Sequence, residues 1–114
     1  MRESAVRSAV LRVLRDAGAV VWAQTGAVNS AGRPDLAICY RGRFVAVEIK
    51  SPRGRTHPRQ LVHLEEVVKA GGFAAIVRSA DDMREVLRQV DAAVAGVYLP
   101  PASLKTEVPS GDSL

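Results

Sequence analysis

GRPDLAICYRGRFVAVEIK, residues 32–50, decides how the rest of the chain is read. Two runs within it, 35–40 and 43–50, alternate and are rich in β-branched or aromatic residues, the pattern of strands with one buried face. Arg41-Gly42 between them predicts a hairpin. With those two as the turn, Tyr40 pairs with Arg43, Cys39 with Phe44, Ala37 with Ala46, and Asp35 with Glu48. Arg-Gly is a weaker hairpin signal than Asn-Gly, because a type I′ turn requires φ > 0 at Arg41. A four-residue turn about the same bond keeps the register, whereas a three-residue turn needs a bulge to restore it.

The register sets two acids across one rung. Opposed residues hold their Cβ atoms about 4.5–5.5 Å apart, and like charges there are destabilising unless a cation lies between them. Lys50, two residues beyond Glu48, points to the same face. That face therefore presents two carboxylates and an amine, and oxygen donors on a rigid support are what a magnesium-type ion requires. The plainer reading is a solvated surface hairpin, since an Asp after a Pro is often a turn residue. Against it, Glu48 interrupts the apolar run of residues 44–49, where solvation is least available.

Pro34-Asp35 followed by Glu48-Ile49-Lys50 resembles the PD-(D/E)xK nuclease signature. The longer pattern, Gly32-Arg33-Pro34-Asp35, then VEIKSP at residues 47–52, then Gln60, resembles its VRR-NUC branch, with archaeal-type Holliday junction resolvases as relatives. The likeness spans residues 3–79; the bare PD and ExK pattern is short, and Gly32, Ser51-Pro52 and Gln60 in order add specificity. It implies an α/β fold with a restriction-endonuclease-like core in αβββαβ order, a central mixed sheet flanked by helices. It also implies a metal-dependent DNA endonuclease. Asp35, Glu48 and the backbone carbonyl of Ile49 would hold Mg²⁺ or Mn²⁺, and Lys50 would orient or help deprotonate the attacking water. Gln60 would bond a phosphate or that water, and Glu3 would be an acid reaching the metal or its water. For Glu3 the alternative is a carboxylate favoured by the helix dipole in a first turn.

The chain reads as one nuclease domain over residues 1–99 with a Pro/Ser/Gly-rich tail at 100–114. Its net charge of +4 and pI of about 9.8 suit a polyanionic partner, though basic proteins are also merely soluble. Cys39 is the only cysteine, so no intrachain disulfide can form; a reducing, cytoplasmic setting in a bacterial or phage-infected cell is expected, with Cys39 as a small buried hydrophobe. His57 and His63 give no zinc-ligand spacing. No apolar run is long enough to cross a membrane.

Taken in order, residues 2–17 predict a helix, with Val6, Val10, Val13, Leu14 and Ala17 on one stripe and Gly18 ending it. Residues 19–25 predict a strand carrying Trp22, read as core packing or as a platform for a base. Residues 26–33 form a loop. Residues 51–60 form a basic loop with Arg53, Arg55 and Arg59, which with Arg33 are the candidate DNA contacts; a solvated linker is the alternative. Thr56 or His57 caps the next helix, which buries Leu61, Leu64, Val67 and Val68 and stops at Gly71-Gly72. Residues 73–77 predict a central strand parallel to the second hairpin arm, and residues 80–90 a last helix burying Met83, Val86, Leu87 and Val90. Residues 92–99 are apolar and fit either packing on the domain or contact with a second copy. Nothing encodes base readout, so flaps, forks or junctions are the expected substrates, and their branched or two-fold shape makes a homodimer plausible. A catalytically inactive nucleic-acid-binding module, a dimeric Holliday junction resolvase and a structural α/β domain are the competing readings.

Overall fold

A computed structural model describes residues 1–23 and 32–94. The elements run α1 (Glu3–Asp16), β1 (Val20–Ala23), β2 (Leu36–Tyr40), β3 (Arg43–Ile49), α2 (Pro58–Lys69), β4 (Phe73–Val77) and α3 (Ala80–Val94). The αβββαβ order expected from the sequence is therefore present, with α3 appended. The sheet is mixed: β1, β2 and β3 are antiparallel neighbours, and β4 lies parallel to β3.

The hairpin forms with the register read from its alternation, Tyr40 opposite Arg43, Cys39 opposite Phe44 and Ala37 opposite Ala46. Both turn residues have positive φ, Arg41 at 51° and Gly42 at 76°. An arginine is disfavoured there. Its side chain is tied down instead: Arg41 Nε lies 2.9 Å from Asp91 Oδ1 on α3, and the Tyr40 hydroxyl donates to Asp91 at 3.2 Å.

The two faces of the sheet are packed unequally. One carries Leu36, Ile38, Val45, Val47, Ile49, Phe73, Ala75 and Val77 against α1 and α3, forming the main core. From α1 come Val6, Val10, Val13 and Leu14; from α3 come Met83, Val86, Leu87 and Val90. On the other face, α2 places Leu64, with Leu61, Val67 and Val68 partly buried, over Ala46, Ala74 and Ile76. That smaller cluster involves β3 and β4 only. Among the described residues, no helix packs on the same face of β1 and β2.

Several expectations change as a result. Trp22, read as core packing or a base platform, is not in the core: it is 72% exposed on β1. Cys39, read as a buried hydrophobe, is exposed, because it lies opposite Val20 on that uncovered face. Strand β4, read as central, is at the edge of the described sheet. Its unbroken apolar run reflects burial on both faces, by α2 and by α3, rather than a strand on each side. Ala17 is an exposed cap rather than the end of the α1 stripe. Helix α3 runs on to Val94. The rest of the 19–25 strand, most of the 26–33 loop, residues 95–99 and the 100–114 tail lie outside the described residues. Among the described residues no helix is long and apolar enough to cross a membrane.

Candidate active site

At the end of the sheet where β2 begins and β3 finishes, alternation brings polar groups into an apolar setting. Glu48 lies on β3 two residues past Ala46, on the face that α2 covers, and is only 3% exposed. Asp35 precedes β2 by one residue, so it is not itself a rung of the ladder, whose last pair is Leu36 with Val47. Its carboxylate turns across to β3 instead, where Oδ2 accepts the backbone N–H of Ile49 at 2.8 Å. Lys50 leaves the strand with its own N–H donated to the Val77 carbonyl, and its buried Nζ sits 3.5 Å from Glu48 Oε2.

Gln60 completes this group from the first turn of α2. Its amide nitrogen donates to Glu48 Oε2 at 2.6 Å, and its amide oxygen accepts the N–H of His57 at 3.0 Å. Both ends of the amide are thus engaged, and Gln60 ties the carboxylate to the start of the helix. Glu48 is left lopsided. Oε2 has two partners, while Oε1 is buried with none. Burial pushes the Glu48 carboxyl up to about 7, the Asp35 carboxylate pushes the same way, and the Lys50 ammonium pulls it back.

An orphaned carboxylate oxygen beside a second carboxylate fits a divalent cation, which would satisfy Oε1 and neutralise the pair. Among the described residues no third Asp, Glu, His or Cys joins them. Glu3 stands apart, exposed in the first turn of α1. Asp35, Glu48 and the Ile49 main chain are thus the donors at hand, with Lys50 and Gln60 fixing Glu48 from the other side.

Four basic residues lie on the segments that flank this group in sequence. Gly32 has φ +79°, and a Cβ there would lie 2.5 Å from Arg59 Cγ, so the GRPD segment rests against the aliphatic stem of Arg59. A cleft beside the site is lined by Gly32, His57, Pro58, Arg59 and Gln60. Arg33, Arg53, Arg55 and Arg59 are all exposed. None of them forms an ion pair among the described residues, whereas Arg41, Arg84 and Arg88 pair with Asp91, Asp81 and Glu85 of α3. One arginine escaped the sequence reading. Arg78 follows β4 directly, and its Nη1 donates to the carbonyls of Ser51 at 2.9 Å and Gly54 at 2.7 Å, clamping the basic loop as it leaves Lys50. Its signal was positional: β4 is parallel to β3, so the residue after Val77 emerges beside Lys50.

A mixed four-stranded sheet between helices, with an acid pair and a lysine where the hairpin meets the parallel strand, defines a restriction-endonuclease-like α/β domain. Among solved structures the chain is similar to a VRR_NUC domain, with 24% identity over 75% of this chain and 94% of the other at a TM-score of 0.64, so its fold is of the VRR_NUC type. No protein-family model and no curated protein matches the chain.

Proposed function

We propose that the protein is a metal-dependent DNA endonuclease that hydrolyses phosphodiester bonds and selects flaps, forks or junctions over sequence. The observation that carries the reading is the buried, unpartnered Glu48 Oε1 beside Asp35, with Lys50 3.5 Å from the other oxygen of the same carboxylate. The likeness of fold to a VRR_NUC domain supports it.

Asp35, Glu48 and the Ile49 carbonyl would hold Mg²⁺ or Mn²⁺, which when bound polarises the scissile phosphate and lowers the pKa of water. The residues divide the remaining work. Asp35 is aimed by the Ile49 N–H, and Glu48 by Gln60 and Lys50. Lys50, the buried cation of the site, orients or helps deprotonate the attacking water and offsets charge developing on the phosphoryl oxygens. Arg33, Arg53, Arg55 and Arg59 bind the phosphate backbone by charge and so position without reading bases. Glu3, exposed in the first turn of α1 and apart from the acid pair, would be a further acid toward the water. Branched substrates suit a homodimer acting on two strands, a Holliday junction resolvase being the special case.

Incubating the protein with branched, flapped and linear duplex DNA in Mg²⁺ or Mn²⁺, beside Asp35→Asn and Lys50→Ala, tests this reading. Cleavage of branched DNA by the wild type that falls on the order of 100-fold or more in both variants is expected. Retained binding with no cleavage by the wild type in any metal would leave a nucleic-acid-binding module.

A further inference from the structure

Trp22, the only tryptophan in the chain, is 72% exposed on β1. Sheet register fixes its place. Trp22 pairs with Ala37, and Ala37 with Ala46, so it shares a face with Glu48, two residues beyond Ala46. Ala37 is two residues from Asp35, so at strand spacing the Cα atoms of Trp22 and Asp35 lie about 8 Å apart. Helix α2 covers that face over β3 and β4, and its cluster stops short of β1. Along the uncovered part, Val20, Cys39 and Phe44, itself half-exposed, extend the apolar surface away from the acids.

We infer that this surface is a stacking platform for unpaired nucleobases, with Trp22 taking a base flanking the phosphate held at Asp35 and Glu48. The inference rests on the nuclease reading for the position of that phosphate. A separation of about 8 Å is on the scale of one nucleotide step of extended single strand, so a strand with its backbone at the acid pair can set a neighbouring base on the indole. Charge favours this occupant over a second copy of the chain. Arg33, Arg53, Arg55 and Arg59, exposed and without an ion pair among the described residues, belong to the segments flanking Asp35 and Lys50; Arg2, Arg12 and Arg15, likewise exposed and unpaired there, lie on or beside α1, and the arginines paired with α3 acids belong to neither set. A polyanion complements the first set, and a second basic chain does not. An indole also accepts any base, which fits a protein that selects by strand geometry.

Because Trp22 is the sole tryptophan, intrinsic fluorescence excited at the red edge of the indole band, where tyrosine does not absorb, reports on it alone. The full chain is titrated, in Ca²⁺ or without metal, with an oligothymidylate and with an abasic oligonucleotide of equal phosphate number, while light scattering follows mass. Saturable quenching of the wild type by oligothymidylate and little or none by the abasic strand are expected, and, read by anisotropy of a dye-labelled oligothymidylate, about tenfold weaker binding in Trp22→Ala than in Trp22→Phe. The side chain is exposed, so both variants should keep the wild-type unfolding transition. Equal responses to both strands, or equal affinity in both variants, would overturn the inference. So would a fluorescence change driven by protein concentration alone with doubling of mass, which would assign the surface to a second copy. Cleavage of DNA with a silent Trp22 removes the platform and keeps the nuclease; base-dependent quenching without cleavage does the reverse.

Discussion

Replacing Glu48 with Gln should make the metal-free protein more stable at alkaline pH, although it alters the centre of the site. Burial and the Asp35 carboxylate hold the Glu48 proton to about pH 7 in the folded chain, against an ordinary value of 4.5. The sign follows from proton binding. Between those values the folded state holds a proton that the unfolded state has released, so the contribution to stability is complete below about 4.5 and is lost as the pH rises through about 7. At about 1.4 kcal/mol per pH unit, the loss amounts to about 3 kcal/mol by pH 8.5. Glutamine keeps the shape and can still accept from Gln60, without the charge. Denaturant unfolding in EDTA from pH 5 to 8.5 should therefore show wild type and Glu48→Gln nearly equal at pH 5. By pH 8.5 the variant should be ahead by about 3 kcal/mol, or about 10 °C in Tm. A variant no better placed at pH 8.5 than at pH 5 would refute the reasoning that Glu48 is a strained, desolvated carboxyl.

The other side chains give sharper local tests. Gln60→Ala should cost about 1–2 kcal/mol in denaturant unfolding, since it frees the N–H of His57 and strips one partner from Glu48 Oε2. Gly32→Ala should destabilise by about 1 kcal/mol or more, because it combines positive φ with contact on the Arg59 stem. Adding Arg59→Ala should recover only the steric share, which a double-mutant cycle measures. Arg78→Met should leave the core intact but free the carbonyls of Ser51 and Gly54, so limited trypsin digestion should cut faster at Arg53 and Arg55 than in wild type.

Much of this was legible in one stretch of sequence. Alternation in residues 35–50 gave the hairpin register from Tyr40–Arg43 to Ala37–Ala46, because a slip by one would have turned Val45 and Val47 outward and Glu48 to the other face; the expected Asp35–Glu48 rung is not formed, the ladder ending at Leu36–Val47. Helical stripes on α1 and α3 were equally plain, since each buries one face against the sheet. What failed was what depends on partners distant in sequence. The run FAAIV looks the same whether strands or helices cover it, so the edge position of β4 could not be read. Cys39 was expected inside, and core packing was one of the two roles read for Trp22, because apolar residues usually are buried; their exposure goes with α2 packing on β3 and β4 rather than on β1 and β2. At the site, the acids and lysine were visible as a motif. The bond from Asp35 to the Ile49 N–H, the double engagement of Gln60 and the Arg78 clamp arise only when four separate segments meet.

Calorimetric titration of Mn²⁺ into the wild type, Asp35→Asn and Glu48→Gln at pH 7.5 probes most directly whether these two acids are held together for an ion. Saturable binding to the wild type that is lost in both variants, each still folded by circular dichroism, is the expected outcome. Equal Mn²⁺ affinity in all three proteins would contradict it.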